Sequence, residues 1–142
     1  MRTAQDVAMY VIDKCCRDNV AISNLQLQKI LYYLQVAFLK QYNIHCFEDE
    51  IEAWKFGPVV RSVYNKYCGY GSLKICEVYN SSNIFNLTEK DCVDCIIVEK
   101  RIAKPWDLVK ETHAKGKAWD LVYNNGLGDR KIIPKGLLKS NG

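Results

Sequence analysis

The sequence predicts a mainly α fold of the α+β class: a compact helical domain around one central hydrophobic helix, with one small two- or three-stranded sheet. Three observations predict it. Between residues 24 and 42, Leu27, Ile30, Leu31, Leu34 and Phe38 recur at helical spacing. Shorter helical patterns lie on both sides of that segment. Strand signals are confined to brief stretches near 50–54, 72–78 and 131–133.

The elements follow in order. Thr3 caps a first helix through about Arg17, with Asp6 at the third helical position as in a capping box. Its apolar stripe is Val7, Ala8, Val11, Ile12 and Cys15. Ser23 or Asn24 caps the second helix, which runs to about Tyr42. Leu25, Tyr32, Tyr33, Val36 and Leu39 widen its apolar surface beyond one stripe, so it is expected to be covered on several sides. Residues 43–49 read as a loop and 50–54 as a short strand. Gly57 and Pro58 form a structural turn, with Pro58 suited to open a helix carrying Val59, Val60, Val63, Tyr64 and Tyr67. Gly69-Tyr70-Gly71 ends that helix.

Leu73 to Cys76 reads as extended, and Asn80-Ser81-Ser82-Asn83 as a loop. Thr88, with Asp91 three residues on, opens a helix that buries Val93, Ile96, Ile97 and Ile102. Pro105 breaks the pattern, Trp106 to His113 forms a short helix, and Trp119 to Tyr123 a further helical turn. Residues 131–133 form a strand, and Pro134 begins a last turn or tail. Strand 51–54 pairs with 131–133 or with part of 72–78. The chain is expected to form one domain over residues 1–142, with a basic C-terminal tail from about 131.

Composition narrows the function classes. Hydrophobic residues make up 49% and charged residues 25%, which fits a globular chain and not a disordered one. No apolar run reaches the roughly 20 residues of a membrane span. Residues 1–6 carry an early acid and no apolar signal core, so the expected location is the cytoplasm. Seven cysteines, an odd number, fit free thiols in a reducing compartment. Cys92 and Cys95 form a C-x-x-C without the second pair that a zinc ribbon needs, and His45-Cys46 has no ligand spacing to them. In a helix the two thiols share a face as small hydrophobes. No metal or cofactor is expected.

Charge is uneven. Residues 100–142 hold ten Lys or Arg against four Asp or Glu; residues 1–99 hold ten against twelve. The basic third is either a solvated surface or a face for an acidic protein or a nucleic acid.

No signature of catalysis is present. Gly69-Tyr70-Gly71 lacks the third glycine of a dinucleotide loop, and Gly126-Leu127-Gly128 lacks the Gly-Lys-Ser/Thr ending of a phosphate loop. There is no hydrolase elbow and no H-E-x-x-H. Nothing brings His113 to Cys92 or Cys95 as a nucleophilic pair. No catalytic residue is named, and no enzyme is expected.

Lys29, Glu52 and His113 are ionisable groups set among apolar or aromatic neighbours. They are surface residues, a buried network that fixes register, or a polar cluster facing a partner. Tyr32, Tyr33, Trp54, Phe56 and Tyr64 crowd the same two segments. Large aromatics default to the core; those at the surface make interface anchors, with Tyr33, Trp54 and Tyr64 the leading candidates. The second helix is too greasy to read a DNA groove, with Lys29 and Lys40 its only cations.

Three stretches in order resemble one family. They are Leu27-Gln28-Lys29-Ile30-Leu31-Tyr32-Tyr33, then Glu52-Ala53-Trp54-Lys55-Phe56-Gly57-Pro58-Val59-Val60 with Tyr64, then Thr112-His113 followed by Trp119. Together they resemble the Panacea domain of phage-associated GepA- and SocA-like antitoxins, from about Met1 to Tyr123. Two features depart from the family pattern. Arg61 stands where many members carry proline, and the basic tail stops soon after Pro134 where members often continue as a helix.

The resemblance implies an antitoxin that neutralises a cognate protein toxin by direct binding. For SocA-like members it also implies an adaptor that hands the toxin to a cellular protease. It implies a protein partner and not, as first choice, a nucleic acid; no membrane partner is expected. Candidate partner-binding or polar-cluster residues are Gln28, Lys29, Tyr32, Tyr33, Glu52, Trp54, Lys55, Tyr64, His113 and Trp119. The competing classes are a phage-encoded inhibitor of a host defence or housekeeping factor, and a DNA-binding regulator.

Overall fold

The computed structural model describes residues 1–80 and 83–142. Ser81 and Ser82, at the centre of the loop expected at 80–83, lie outside the described residues. Among the described residues there are seven α-helices and three short strands.

Helix α1 (Ala4–Arg17) opens with the expected capping box. The Asp6 amide donates to Thr3 Oγ at 3.1 Å, and the Thr3 amide donates to the Asp6 carboxylate at 3.0 Å. Its stripe, from Val7 to Cys15, is buried. Helix α2 (Asn24–Tyr42) has a second capping box, between Ser23 and Gln26. Thirteen of its nineteen residues are buried. Because α1 and four of the later helices, at Arg61–Tyr67, Leu87–Lys100, Pro105–Thr112 and Lys135–Asn141, pack around it, α2 is the axis of the fold. A stripe on one face would leave the other wet; the broad apolar surface of α2 is what allows this enclosure. Buried Gln35 fastens the following loop to α2. Its Oε1 accepts from the Cys46 amide at 2.7 Å, and its Nε2 donates to the Phe47 carbonyl at 3.0 Å.

The sheet has the order β2-β1-β3, antiparallel throughout. Strand β1 (Glu52–Trp54) lies between β2 (Gly57–Val59) and β3 (Lys131–Ile132). Glu52 faces Val59 on one side and Ile132 on the other. The pairing is therefore with 131–132 and not with 72–78. Lys74 makes only an isolated bridge to Ser23.

Four boundaries differ from the sequence reading, each for a physical reason. Pro58 does not open a helix; it lies in β2, an edge strand, where its missing N–H breaks no ladder. Helix α3 (Arg61–Tyr67) begins three residues later, with Arg61 at its first helical position. Proline suits that position too, so the Arg61 departure leaves the helix start in place. Helix α4 (Leu87–Lys100) is capped by Asn86 and Glu89 and not by Thr88 and Asp91. It buries Val93 and Ile97, whereas Ile102 lies beyond its end and is exposed. Cys92 is half-buried and Cys95 exposed, so the two thiols do not share a buried face.

Helices α5 (Pro105–Thr112) and α6 (Ala118–Tyr123) stand where short helices were expected. The segment after Pro134, read as a turn or tail, is helix α7 (Lys135–Asn141). It docks on α2 through buried Leu138, and Lys40 of α2 donates to the Gly142 carbonyl at 3.0 Å. No helix among the described residues is long and apolar enough to cross a membrane.

A candidate partner-binding cleft

The first turns of α2, the β1–β2 hairpin, the start of α5 and the turn before β3 enclose a cleft of about 690 Å³. Its floor is polar and buried. Gln28 accepts from the Val60 amide at 2.9 Å and donates to the Asn24 side chain at 3.0 Å. Asn24 in turn donates to the Tyr64 carbonyl at 3.3 Å. This relay ties α2 to the junction of β2 and α3, leaving no buried amide atom idle.

Lys29 is fully buried beside it. Its ammonium donates to the Pro58 carbonyl at 3.2 Å. Gly57, at φ +116°, makes room for it. A Cβ there would fall 2.7 Å from Lys29 Nζ and 3.0 Å from Thr112 Oγ1. Both the backbone angle and the space therefore require glycine. Burial without a carboxylate partner pulls the Lys29 pKa down to about 7.

His113, just past the end of α5, stacks flat on Trp119 at 3.7 Å, and Trp119 stacks on Tyr123 at 4.6 Å. Trp119 Nε1 donates to the Trp54 carbonyl at 2.7 Å, so this stack holds the hairpin from behind. Burial holds His113 below its ordinary pKa, and the positive charge of Lys29 adds to that. A backbone hydrogen bond to Phe56 and the charge of Asp120 oppose the shift. His113 Nε2 is buried without a partner.

Glu52 does not join Lys29 and His113. It takes a two-point ion pair from Arg61 at 2.8 and 3.0 Å and accepts from Trp54 Nε1 at 3.0 Å. The Arg61 hydrogen bonds hold its carboxyl below the usual range. Glu52 and Trp54 share one face of β1, opposite buried Ala53. Trp54 packs on Tyr64 at 4.9 Å, and the Arg130 guanidinium lies 4.2 Å over its ring.

The mouth is aromatic and basic. Phe56, Tyr64 and Trp106 are 49%, 37% and 62% exposed, so all three reach solvent. Phe56 and Trp106 meet edge to face at 5.4 Å. Lys55 lies over the Phe56 ring at 5.5 Å. Tyr32 and Tyr33 stand elsewhere. Tyr32 is core, and Tyr33 donates to Glu111 at 3.1 Å beneath the Lys100 ammonium, fastening α2 to α4 and α5. Trp106, Asp129 and Arg130 line the cleft without having been singled out from the sequence for it. Among the described residues no group of three or more His, Cys, Asp or Glu is arranged to hold a metal.

The model of the family described as "Antitoxin SocA-like, Panacea domain" matches residues 27–120, well over half of the chain. The chain belongs to this family. Antitoxin SocA of Caulobacter vibrioides (strain NA1000 / CB15N) is 29% identical over 143 residues, spanning 89% of this chain and 76% of that protein. No solved structure matches the chain. The family span holds Gln28, Lys29, the hairpin, His113 and Trp119, and stops before Asp129, Arg130, β3 and α7.

Proposed function

We propose that this chain is an antitoxin that neutralises a cognate protein toxin by direct binding at the aromatic cleft. One observation carries the choice of surface: Phe56, Tyr64 and Trp106 expose large rigid side chains around one concavity, above a floor fixed by buried hydrogen bonds. Aromatic side chains lose little rotamer freedom on binding and dominate interface hot spots. A preorganised floor keeps the ordering cost of association low. Seven free thiols support an encounter in a reducing compartment.

The test is neutralisation in growing cells. The neighbouring reading frame is induced with and without this chain, and the pair is then copurified. Rescue with copurification is the expected result. The double variant Phe56→Ala, Trp106→Ala removes exposed rings only, so it should keep the far-ultraviolet dichroism of the parent. Its affinity for the toxin should fall by about 2–4 kcal/mol, the range of hot-spot truncation. Unchanged affinity would move the interface off this face. Toxin levels followed in the same cells separate plain sequestration, which leaves them steady, from delivery to a protease, which lowers them.

A further inference from the structure

We infer that the cleft takes an acidic segment of its protein partner, one that sets an aspartate or glutamate carboxylate between Arg130 and Lys55 and an apolar side chain against Phe56 and Trp106. The inference rests on the reading that this cleft is the partner-binding site.

Charge is the first argument. Lys29, Lys55 and Arg130 line the cleft against a single acid, Asp129. Among the described residues neither Lys55 nor Arg130 has an ion-pair or hydrogen-bonding partner for its side chain. Arg61, close by, is fully engaged with Glu52. The two free cations are spread over the rings of Phe56 and Trp54, which position them without neutralising them. The floor adds the buried amine of Lys29, whose protonated form an entering carboxylate would favour.

The backbone is the second argument. Arg130 is held at φ +64°, in the left-handed region, where an ordinary side chain costs about 1–2 kcal/mol. Its amide donates to the Ala53 carbonyl of the central strand β1, which fixes the turn. The side chain is thereby carried onto Trp54, at the cleft mouth.

Shape and surroundings favour a protein segment over a nucleic acid. A cleft of about 690 Å³ accepts a few side chains. A phosphate backbone is followed by cations along a groove; here they gather at one mouth, with Asp129 among them. Phe56 and Trp106 meet edge to face and present no parallel platform for stacked bases.

The test selects binders from a random heptapeptide library with the full-length chain as bait. Each recovered peptide is measured by fluorescence anisotropy beside a copy in which Asp and Glu become Asn and Gln. Recovered peptides should be enriched in Asp or Glu next to an aromatic or aliphatic residue. The amide copies should bind at least about tenfold more weakly, a loss of 1.4 kcal/mol. Arg130→Asn should weaken the acidic peptide by a similar factor while still folding, because asparagine tolerates the left-handed backbone. Lys55→Glu should do the same from the other side of the mouth.

Recovery without acidic enrichment, amide copies that bind equally, or no recovery at all would overturn the inference. So would a thymidine oligonucleotide that displaces the peptide and binds more tightly. The toxin rescue assay keeps the two readings apart. If Phe56→Ala, Trp106→Ala abolishes rescue while Arg130→Asn and Lys55→Glu leave peptide and toxin affinity intact, the cleft binds the toxin and the acidic segment is wrong. If none of these variants alters toxin affinity, the cleft itself is not the interface.

Discussion

Lys29 is the residue where structure and titration meet most directly. An amine among Gly57, Pro58 and Thr112 has one carbonyl to donate to and no counter-ion. Folded, it releases its proton near pH 7; unfolded, near 10.5. Between those values the unfolded chain holds the extra proton, so stability rises with pH. The whole gap corresponds to roughly 5 kcal/mol, the full penalty standing below pH 7. The rise has an upper limit. Burial pushes the Cys15 thiol up and the Cys46 thiol to about 12, from an ordinary value of 9.0, so above that the unfolded chain loses thiol protons first and stability turns down. On the acid side, His113 is held below 6.5 and adds a further loss as pH falls through that region. Urea unfolding should therefore show a gain of about 2 kcal/mol between pH 7 and about pH 8.5. Lys29→Met should lack that slope and should be more stable than the parent below pH 7 by about 1–4 kcal/mol. The same slope in the Met variant would show that the amine is not the group responsible.

At the scale of elements, what was legible was local chemistry. Thr3 with Asp6 announces its helix because the side chain that closes the box lies three residues away; at α2 the sequence left Ser23 and Asn24 open, and the box that Ser23 forms with Gln26 decides for Ser23. The same rule misled at α4, where two candidate boxes overlap: Asn86 with Glu89, and Thr88 with Asp91. The first one forms. Arg2 holds Glu89 from outside the helix, at 3.3 Å, so a tertiary contact decides between them. Asn86→Ala should then cost about 0.5–2 kcal/mol in thermal or urea unfolding, whereas Thr88→Ala should stay within about 0.5 kcal/mol of the parent. The reverse order would return the cap to Thr88. Strand β2 was hidden for a different reason: Gly57-Pro58 has the look of a turn, and only pairing with β1 under the cover of α2 and α5 makes it a strand. Helix α7 carries Gly136 within seven residues, and its order comes from docking Leu138 on the core, which no local pattern reveals.

At the scale of the molecule, the cleft is assembled from parts that differ in how well the sequence reveals them. Gln28, Lys29, Trp54, Lys55 and Tyr64 fall within two segments dense in aromatic and polar residues, and all five line the cleft. Trp106 and Arg130 come from distant elements and reach it only through the packing of α5 and the β1–β3 pairing. Tyr33 sits within the first of these segments, yet the turn of α2 carries it to α4 and α5. Charge adds a long-range effect to this local one. The basic excess of residues 100–142 includes Lys115, Lys117, Arg130 and Lys131, all exposed, and Arg130 stands at the mouth itself. Rim charges act on encounter more than on the lifetime of a complex. Reversing Lys115, Lys117 and Lys131 to Glu should slow association with an acidic toxin by about tenfold or more at low salt, with little change in dissociation. The difference from the parent should shrink as ionic strength approaches 0.15 M, where the screening length falls to about 8 Å. Arg130 touches the cleft, so its reversal should also speed dissociation. Stopped-flow binding across a salt series separates the two effects. An association rate at low salt that ignores the three distant lysines would confine the electrostatics of binding to the cleft mouth.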